Sequence, residues 1–228
     1  MIVLSFSELP LIDISFINNL IPHLPPDQKA YAEASPVGNI RRERVVSYLL
    51  LMHALQLHNE GVRPPMLQRI TTSELKATAS RLLGVPHLSQ PVFLYGTHGK
   101  PSFANGAMPH FNLSHCRRAV VVALHESAVG IDVESRRRIS DQLMRHTCST
   151  SELETVLAAP DPTDAFIRLW TRKESYVKYT GTGLTVPIPT LLDNLPEAIT
   201  QQTLPLSDLD AWVTITSGIA PSSSGNAE

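Results

Sequence analysis

The chain has 228 residues, of which 43% are hydrophobic and 18% charged, with a formal net charge of -2. So much apolar material excludes a wholly disordered chain, and the near-neutral balance excludes the basic footprint of a protein whose main partner is nucleic acid. The length suits two units of about a hundred residues each, expected here as 1–105 and 106–217, followed by a disordered tail, 218–228.

In chain order, Met1 to Leu11 contains Glu8 and no basic run, so it does not read as a secretion signal. Arg41–Leu57 has a basic start and a broad apolar stretch, which predicts a helix; His53 and Gln56 interrupt it and it is too short to span a bilayer. Ser73–Leu83 predicts a second helix ended by Gly84 and Pro86. Pro91–Tyr95 reads as a short strand, followed by the turn Gly96–Pro101, and Phe111–Ser114 as another strand. Ala119–Leu124 is a continuous β-branched run, hence a buried strand. Val129–Glu134 alternates strictly, and the two are expected to form a hairpin. Asp141–His146 and Ser151–Leu157 look helical, and Asp164–Thr180 is the clearest helix, closed by Gly181 and Gly183. Ala211–Thr216 reads as a last strand, and Ser217 to Glu228 is rich in Ser, Gly and Ala. The sum is an α+β protein. Its two cysteines, Cys116 and Cys148, form neither a disulfide framework nor a zinc spacing and are expected as free thiols in a reducing, cytoplasmic setting.

Along Val129–Glu134, the side chains of Asp132 and Glu134 share one face, opposite Val129, Ile131 and Val133. Two carboxylates at that spacing repel unless a cation lies between them; taken alone, a solvated outer face is the commoner reading. On the helix Asp164–Thr180, the residues Phe166, Leu169, Trp170, Tyr176 and Val177 make an apolar stripe with Lys173 in its middle. An ammonium facing a core needs an anion, unless its stem simply snorkels along apolar neighbours. Glu174 and Lys178 lie four apart on the stripe's flank, a spacing that also suits an ordinary helix ion pair. His115 ends a strand-like stretch and Lys100 sits in a Gly-Lys-Pro turn, where a structural histidine and an exposed lysine are the bland alternatives.

Four blocks carry a resemblance: Gly99-Lys100-Pro101; Phe111-Asn112-Leu113-Ser114-His115; Val129-Gly130-Ile131-Asp132-Val133-Glu134; and Trp170 to Lys178 followed by Gly181-Thr182-Gly183-Leu184. In this order and with these gaps the sequence resembles the 4′-phosphopantetheinyl transferase superfamily, surfactin-synthetase-activating (Sfp) type, over about residues 95–190. The resemblance implies a monomer of two similar α/β halves related by a pseudo-two-fold axis, with coenzyme A between them. It implies a magnesium-dependent transfer of the phosphopantetheine arm to a serine of an apo carrier protein, releasing adenosine 3′,5′-bisphosphate.

By position, the resemblance assigns Asp132, Glu134 and Glu174 as magnesium ligands, and Ser114, His115, Lys100 and Lys178 as coenzyme A contacts. Lys173 is expected to find its anion in the same site. Glu174, or a metal-bound water that it orients, is the expected general base, with Lys178 and His115 offsetting charge on the leaving group. Glu152 stands where the family has a further acidic residue. Contacts to the 3′-phosphate are open between Arg41, Arg42 and Arg44, with Arg44 the choice, and His53 stands where a later arginine is expected. Cys116 replaces the usual small residue after Ser-His. Arg136–Arg138 reads either as a solvated turn or as a surface that steers an acidic carrier. Two other functions fit the same acidic triad: a magnesium-dependent hydrolase of diphosphate-containing nucleotides, and a binding module that holds coenzyme A without turnover.

Overall fold

The structure, a computed structural model, describes residues 1–84, 91–106, 109–183 and 185–218. Strand β1 (Ile2–Phe6) is an apolar run with every residue buried. Helices α1 (Ile14–Leu20), α2 (Pro26–Glu33) and α3 (Asn39–Asn59) follow, then the two-residue β2 (Gln68–Arg69) and α4 (Thr72–Leu83). A reciprocal capping box opens α4: Thr71 accepts from the Glu74 N–H while Glu74 accepts from the Thr71 N–H. Strands β3 (Phe93–Tyr95) and β4 (Pro101–Phe103) form a small antiparallel pair, and β5 (His110–His115) and β6 (Val120–His125) are joined by a turn at Cys116–Ala119. Strand β7 (Val129–Ser135), helices α5 (Asp141–Thr147), α6 (Thr150–Ala158) and α7 (Pro162–Thr180), and strands β8 (Ile199–Leu206) and β9 (Ala211–Gly218) complete the chain.

The larger sheet runs β2-β1-β6-β5 and a second sheet runs β7-β9-β8. Because side chains alternate along a strand, Ile2, Leu4 and Phe6 of β1 and Val120, Val122 and Leu124 of β6 enter one core with Val45, Val46, Leu49 and Leu50 of α3. The intervening Val3, Val121 and Ala123 point the other way and meet Val129, Ile131, Val133, Val213 and Ile215 of the second sheet. The layers are therefore α3, first sheet, second sheet and α7. A smaller core of Met144, Cys148, Val156 and Phe166 locks α5 and α6 to α7.

The expected hairpin of β6 and β7 does not form. The short link Glu126–Ala128 instead carries the chain from one sheet to the other, and β7 pairs with β9 in register Asp132↔Thr214. The hairpin is β5–β6, with Leu113 opposite Val122. The β-branched run of β6 fits either neighbour, and only the identity of the partner separates the two pairings. The predicted strands and helices otherwise lie within a few residues of their observed bounds, whereas β1, β2, β4, β8, α1 and α2 had no counterpart in the sequence reading. Strand β1 pairs with β6, so the first sheet draws on both sides of the expected 105/106 division. Gly218 closes β9; the rest of the expected tail, together with Pro86 and Leu184, lies outside the described residues.

The interface between α7 and the second sheet is made of hydroxyls and not of the predicted apolar stripe. Thr171 meets Thr214 at 2.8 Å and Ser175 meets Thr216 at 2.8 Å, all four fully buried. Phe166 and Val177 of the stripe are buried, but Leu169 and Trp170 pack beside the small α5–α6 core. Short side chains let the helix approach closely, and Gly130 of β7 sets the limit. A Cβ at Gly130 would lie 2.1 Å from the Ser175 carbonyl oxygen and 2.4 Å from the Tyr179 nitrogen. Both are backbone atoms, so Gly130→Ala is expected to push α7 off the sheet. The cost should be about 1–3 kcal/mol or more, read as a lower unfolding midpoint in denaturant.

Candidate active site

Strands β5 and β7 run side by side at the seam between the two sheets without forming a ladder. Two side chains of β5 take the place of its carbonyls: Asn112 Oδ1 accepts the Ile131 N–H at 2.9 Å, and Ser114 Oγ accepts the Val133 N–H at 3.3 Å. These bonds satisfy buried donors that would otherwise be costly, and they bracket Asp132. The sheets splay there, and α7 covers the opening. The result is a polar cleft of about 470 Å³ lined by Ser114, His115, Asp132, Glu134, Trp170, Glu174 and Lys178 among others.

Asp132 is 4% exposed, which removes the solvated-face reading of the Asp132–Glu134 pair. Its Oδ1 accepts from Ser114 Oγ at 2.8 Å and from Lys178 Nζ at 2.6 Å, and Lys178 also donates to Ser114 at 2.8 Å. Its Oδ2 is buried with no hydrogen-bond partner among the described residues. Glu134 accepts the Trp170 indole N–H at 3.3 Å and faces Arg137 at 3.9 Å. Glu174 has no such partner among the described residues. Burial first, and then the Asp132 charge, pushes both glutamates above the usual carboxylate range; Lys178 opposes the shift at each. Three carboxylates thus share one cleft with a single ammonium.

His115 closes one side. Its ring is 55% exposed, its Nδ1 lies 3.4 Å from Glu43 Oε2, and it lines both this cleft and a larger cavity of about 710 Å³. That cavity has aromatic walls, Tyr31, Tyr48, Phe93, Tyr95 and Phe111, with Arg44 at its edge. Arg44 stacks on the Tyr31 ring, 3.5 Å to the centroid, and donates to the Tyr31 carbonyl. Arg41 and Arg42 are turned elsewhere, to the Ser35 and Ile12 carbonyls at 3.0 and 2.7 Å. Of the three arginines left open by the sequence, Arg44 alone lines the cavity. His53 does not: it is buried against Thr78 at 2.9 Å, and burial first, then Arg81, lowers its pKa below the ordinary histidine value.

Two assigned lysines are placed differently from expectation. Lys173 is 1% exposed, and its ammonium is enclosed by Glu152 Oε2 at 2.7 Å and by the carbonyls of Thr147, Ile188 and Pro189 at 2.8–3.1 Å. Its anion is therefore Glu152 and not a substrate in the cleft. Glu152 also accepts from the Ser149 N–H in the capping box of α6, so both residues join α5, α6 and α7. The reason is rotational: neighbours on a helix diverge by about 100°, so Glu174 faces β7 while Lys173 faces α5 and α6. Lys100 donates to the Val129 and Tyr179 carbonyls at 3.2 and 2.9 Å, its stem against Gly181, which caps α7 with φ 68°. A cation there suits the carbonyl end of a helix, and burial lowers the pKa of the ammonium. Its charge is committed to the scaffold and not to a nucleotide.

Two residues of the site carried no role in the sequence. Asn112 substitutes for a strand backbone, and Trp170, counted as core, donates to Glu134. Arg136 and Arg137 are paired with Asp161 and Glu134, which leaves Arg138 as the unengaged member of that basic turn among the described residues.

The model of the 4′-phosphopantetheinyl transferase superfamily matches residues 128–212, a stretch that contains Asp132, Glu134, Glu174 and Lys178. Residues 128–212 belong to that superfamily. The chain is similar to the 4′-phosphopantetheinyl transferase Sfp of Bacillus subtilis, 37% identical over 93 residues that make up 40% of this chain and 42% of that relative. It is also similar to the 4′-phosphopantetheinyl transferase psf-1 of Bacillus pumilus, 32% identical over 54% of each chain. With the 4′-phosphopantetheinyl transferase AcpT of Salmonella typhimurium it is 34% identical over 54% of this chain and 66% of the relative. The matched stretches span less than two thirds of these relatives' lengths. Within the superfamily match, β7 and α7 supply every carboxylate of the cleft, while Ser114 and His115 come from β5, upstream of it.

Proposed function

We propose that the protein is a phosphopantetheinyl transferase that moves the 4′-phosphopantetheine arm of coenzyme A onto a serine of an apo acyl or peptidyl carrier protein. The observation that carries this reading is the single cleft in which Asp132, Glu134 and Glu174 meet Lys178, Ser114 and His115, beside an aromatic-walled cavity of about 710 Å³. The similarity to proteins named for this transfer supports it. Coenzyme A would lie with its diphosphate in the cleft and its nucleotide toward Arg44.

Magnesium belongs to the proposal. The donor set fits: three hard carboxylates, one with an orphaned buried oxygen and two pushed toward protonation by burial and then by the Asp132 charge. As they stand, no three His, Cys, Asp or Glu side chains among the described residues converge closely enough to hold a metal ion. When bound, magnesium would supply charge neutralisation at the diphosphate. The remaining work falls to the chain. Lys178 and His115 stand on the two sides of the cleft and offset charge on the leaving phosphate. Glu174, its proton affinity raised by burial, accepts the proton of the attacking serine. Ser114 orients Asp132. α7 and β7 exclude water from one wall.

The division into 1–105 and 106–217, a monomeric state and a cytoplasmic setting are part of the same reading. Both cysteines are free and buried, and no helix among the described residues is long and apolar enough to cross a membrane. The test is to incubate the protein with coenzyme A, Mg²⁺ and an apo carrier domain and to measure intact masses. A phosphopantetheine-sized gain on the carrier is expected. Loss of coenzyme A without that gain would mean hydrolysis, and no change in either would leave a binding module; each result overturns the transferase.

A further inference from the structure

Lys178 reaches from α7 into the cleft and meets β5 and β7. Its Nζ is 2.6 Å from Asp132 Oδ1 and 2.8 Å from Ser114 Oγ, with the side chain 28% exposed. It is the only charge that opposes the shift at Glu174, and at Glu134 it acts after Arg137 and the Trp170 hydrogen bond. Among the described residues the cleft offers no three-ligand metal group, and the second oxygen of Asp132 is buried without a hydrogen-bond partner. These observations describe one arrangement: an internal ammonium occupies the carboxylate that a divalent cation would use.

We infer that Lys178 is an internal competitor of the metal, which keeps the ligand-free site charge-balanced and blocks tight metal binding until a diphosphate draws the ammonium away. This rests on the reading of Asp132, Glu134 and Glu174 as metal ligands. An ammonium 2.6 Å from Asp132 Oδ1 repels a divalent cation brought to the same carboxylate, so metal entry favours release of Lys178. A diphosphate offers that ammonium a better partner. Metal and coenzyme A then bind with positive coupling, of the 5–150-fold size common between linked sites. Lys178 is long and flexible enough to swing between the two anions, unlike Lys173, whose four acceptors and complete burial hold it fixed.

The experiment uses the full chain without coenzyme A. Mg²⁺ binding is measured by titration calorimetry for the parent, Lys178→Met and Asp132→Asn. In parallel, acetylation of Lys178 by an amine-reactive ester is followed by peptide mass spectrometry with and without Mg²⁺. Expected are about tenfold tighter Mg²⁺ binding by Lys178→Met, no measurable binding by Asp132→Asn, and faster acetylation of Lys178 when Mg²⁺ is present. Equal affinities for the parent and Lys178→Met, or acetylation that Mg²⁺ slows or leaves unchanged, overturn the competitor role while leaving the metal site standing. Absence of binding in the parent and Lys178→Met alike overturns both readings. If Lys178→Met fails to fold, Lys178→Gln and the acetylation arm on the parent decide the question.

Discussion

Glu174→Gln is expected to lower carrier modification by about a thousandfold while raising the melting temperature slightly in metal-free buffer. The two effects have one cause. Glu174 is pressed between burial and the Asp132 and Glu134 charges, and only Lys178 opposes them. Glutamine keeps the shape and removes the charge, so the folded chain loses an unfavourable interaction. The reaction loses a metal ligand and the proton acceptor for the attacking serine. Such terms are each worth several kcal/mol of barrier, and each 1.36 kcal/mol is tenfold in rate. Carrier mass spectrometry under saturating Mg²⁺ and coenzyme A gives the first number, and thermal denaturation in chelator gives the second. Retained activity would remove Glu174 from the mechanism. A clear drop in melting temperature with lost activity would make its role structural.

Lys173→Met acts on the scaffold and not on the chemistry. The ammonium is 1% exposed and holds Glu152 together with three carbonyls from α5 and from the turn Ile188–Thr190. Methionine fills much the same space but leaves the Glu152 carboxylate facing three carbonyl oxygens without a cation. Removing one partner of a buried pair typically destabilises by about 3–5 kcal/mol. At about 2–4 °C per kcal/mol for a chain of this size, the melting temperature should fall by roughly 6–20 °C. Adding Glu152→Gln should recover part of the loss, because glutamine still completes the capping box of α6 and carries no charge. Lys173→Met with an unchanged melting temperature would contradict the bracing role. A variant that is stable but has lost coenzyme A binding would return Lys173 to the site.

Other features trace how far local pattern reaches. The alternation in Val129–Glu134 already sorted Ile131 and Val133 from Asp132 and Glu134, and the structure buries the first pair between the sheets while Asp132 faces α7. Helix α7 was legible from its period and its Gly181 cap, and β5 from four residues of alternation. The same helical pattern carried no sign of the α7 face that meets the sheet, because Thr171 and Ser175 are small and polar. Gly130 reads in the sequence as a weak strand residue, and its purpose appears only when the α7 backbone lies against it.

The α+β class and most elements in the 95–190 region follow from order and spacing along the chain, since side-chain periodicity is a local property of backbone geometry, whereas the acidic cluster as a group came only from the resemblance. Which strand pairs with β7, which anion Lys173 meets, where Lys100 places its charge and which arginine borders the large cavity all depend on residues tens of positions away. Strand pairing and ion pairing are satisfied by whichever complementary group arrives in space. A run such as Val120–Leu124 fits several partners equally until the turns and the two cores choose among them.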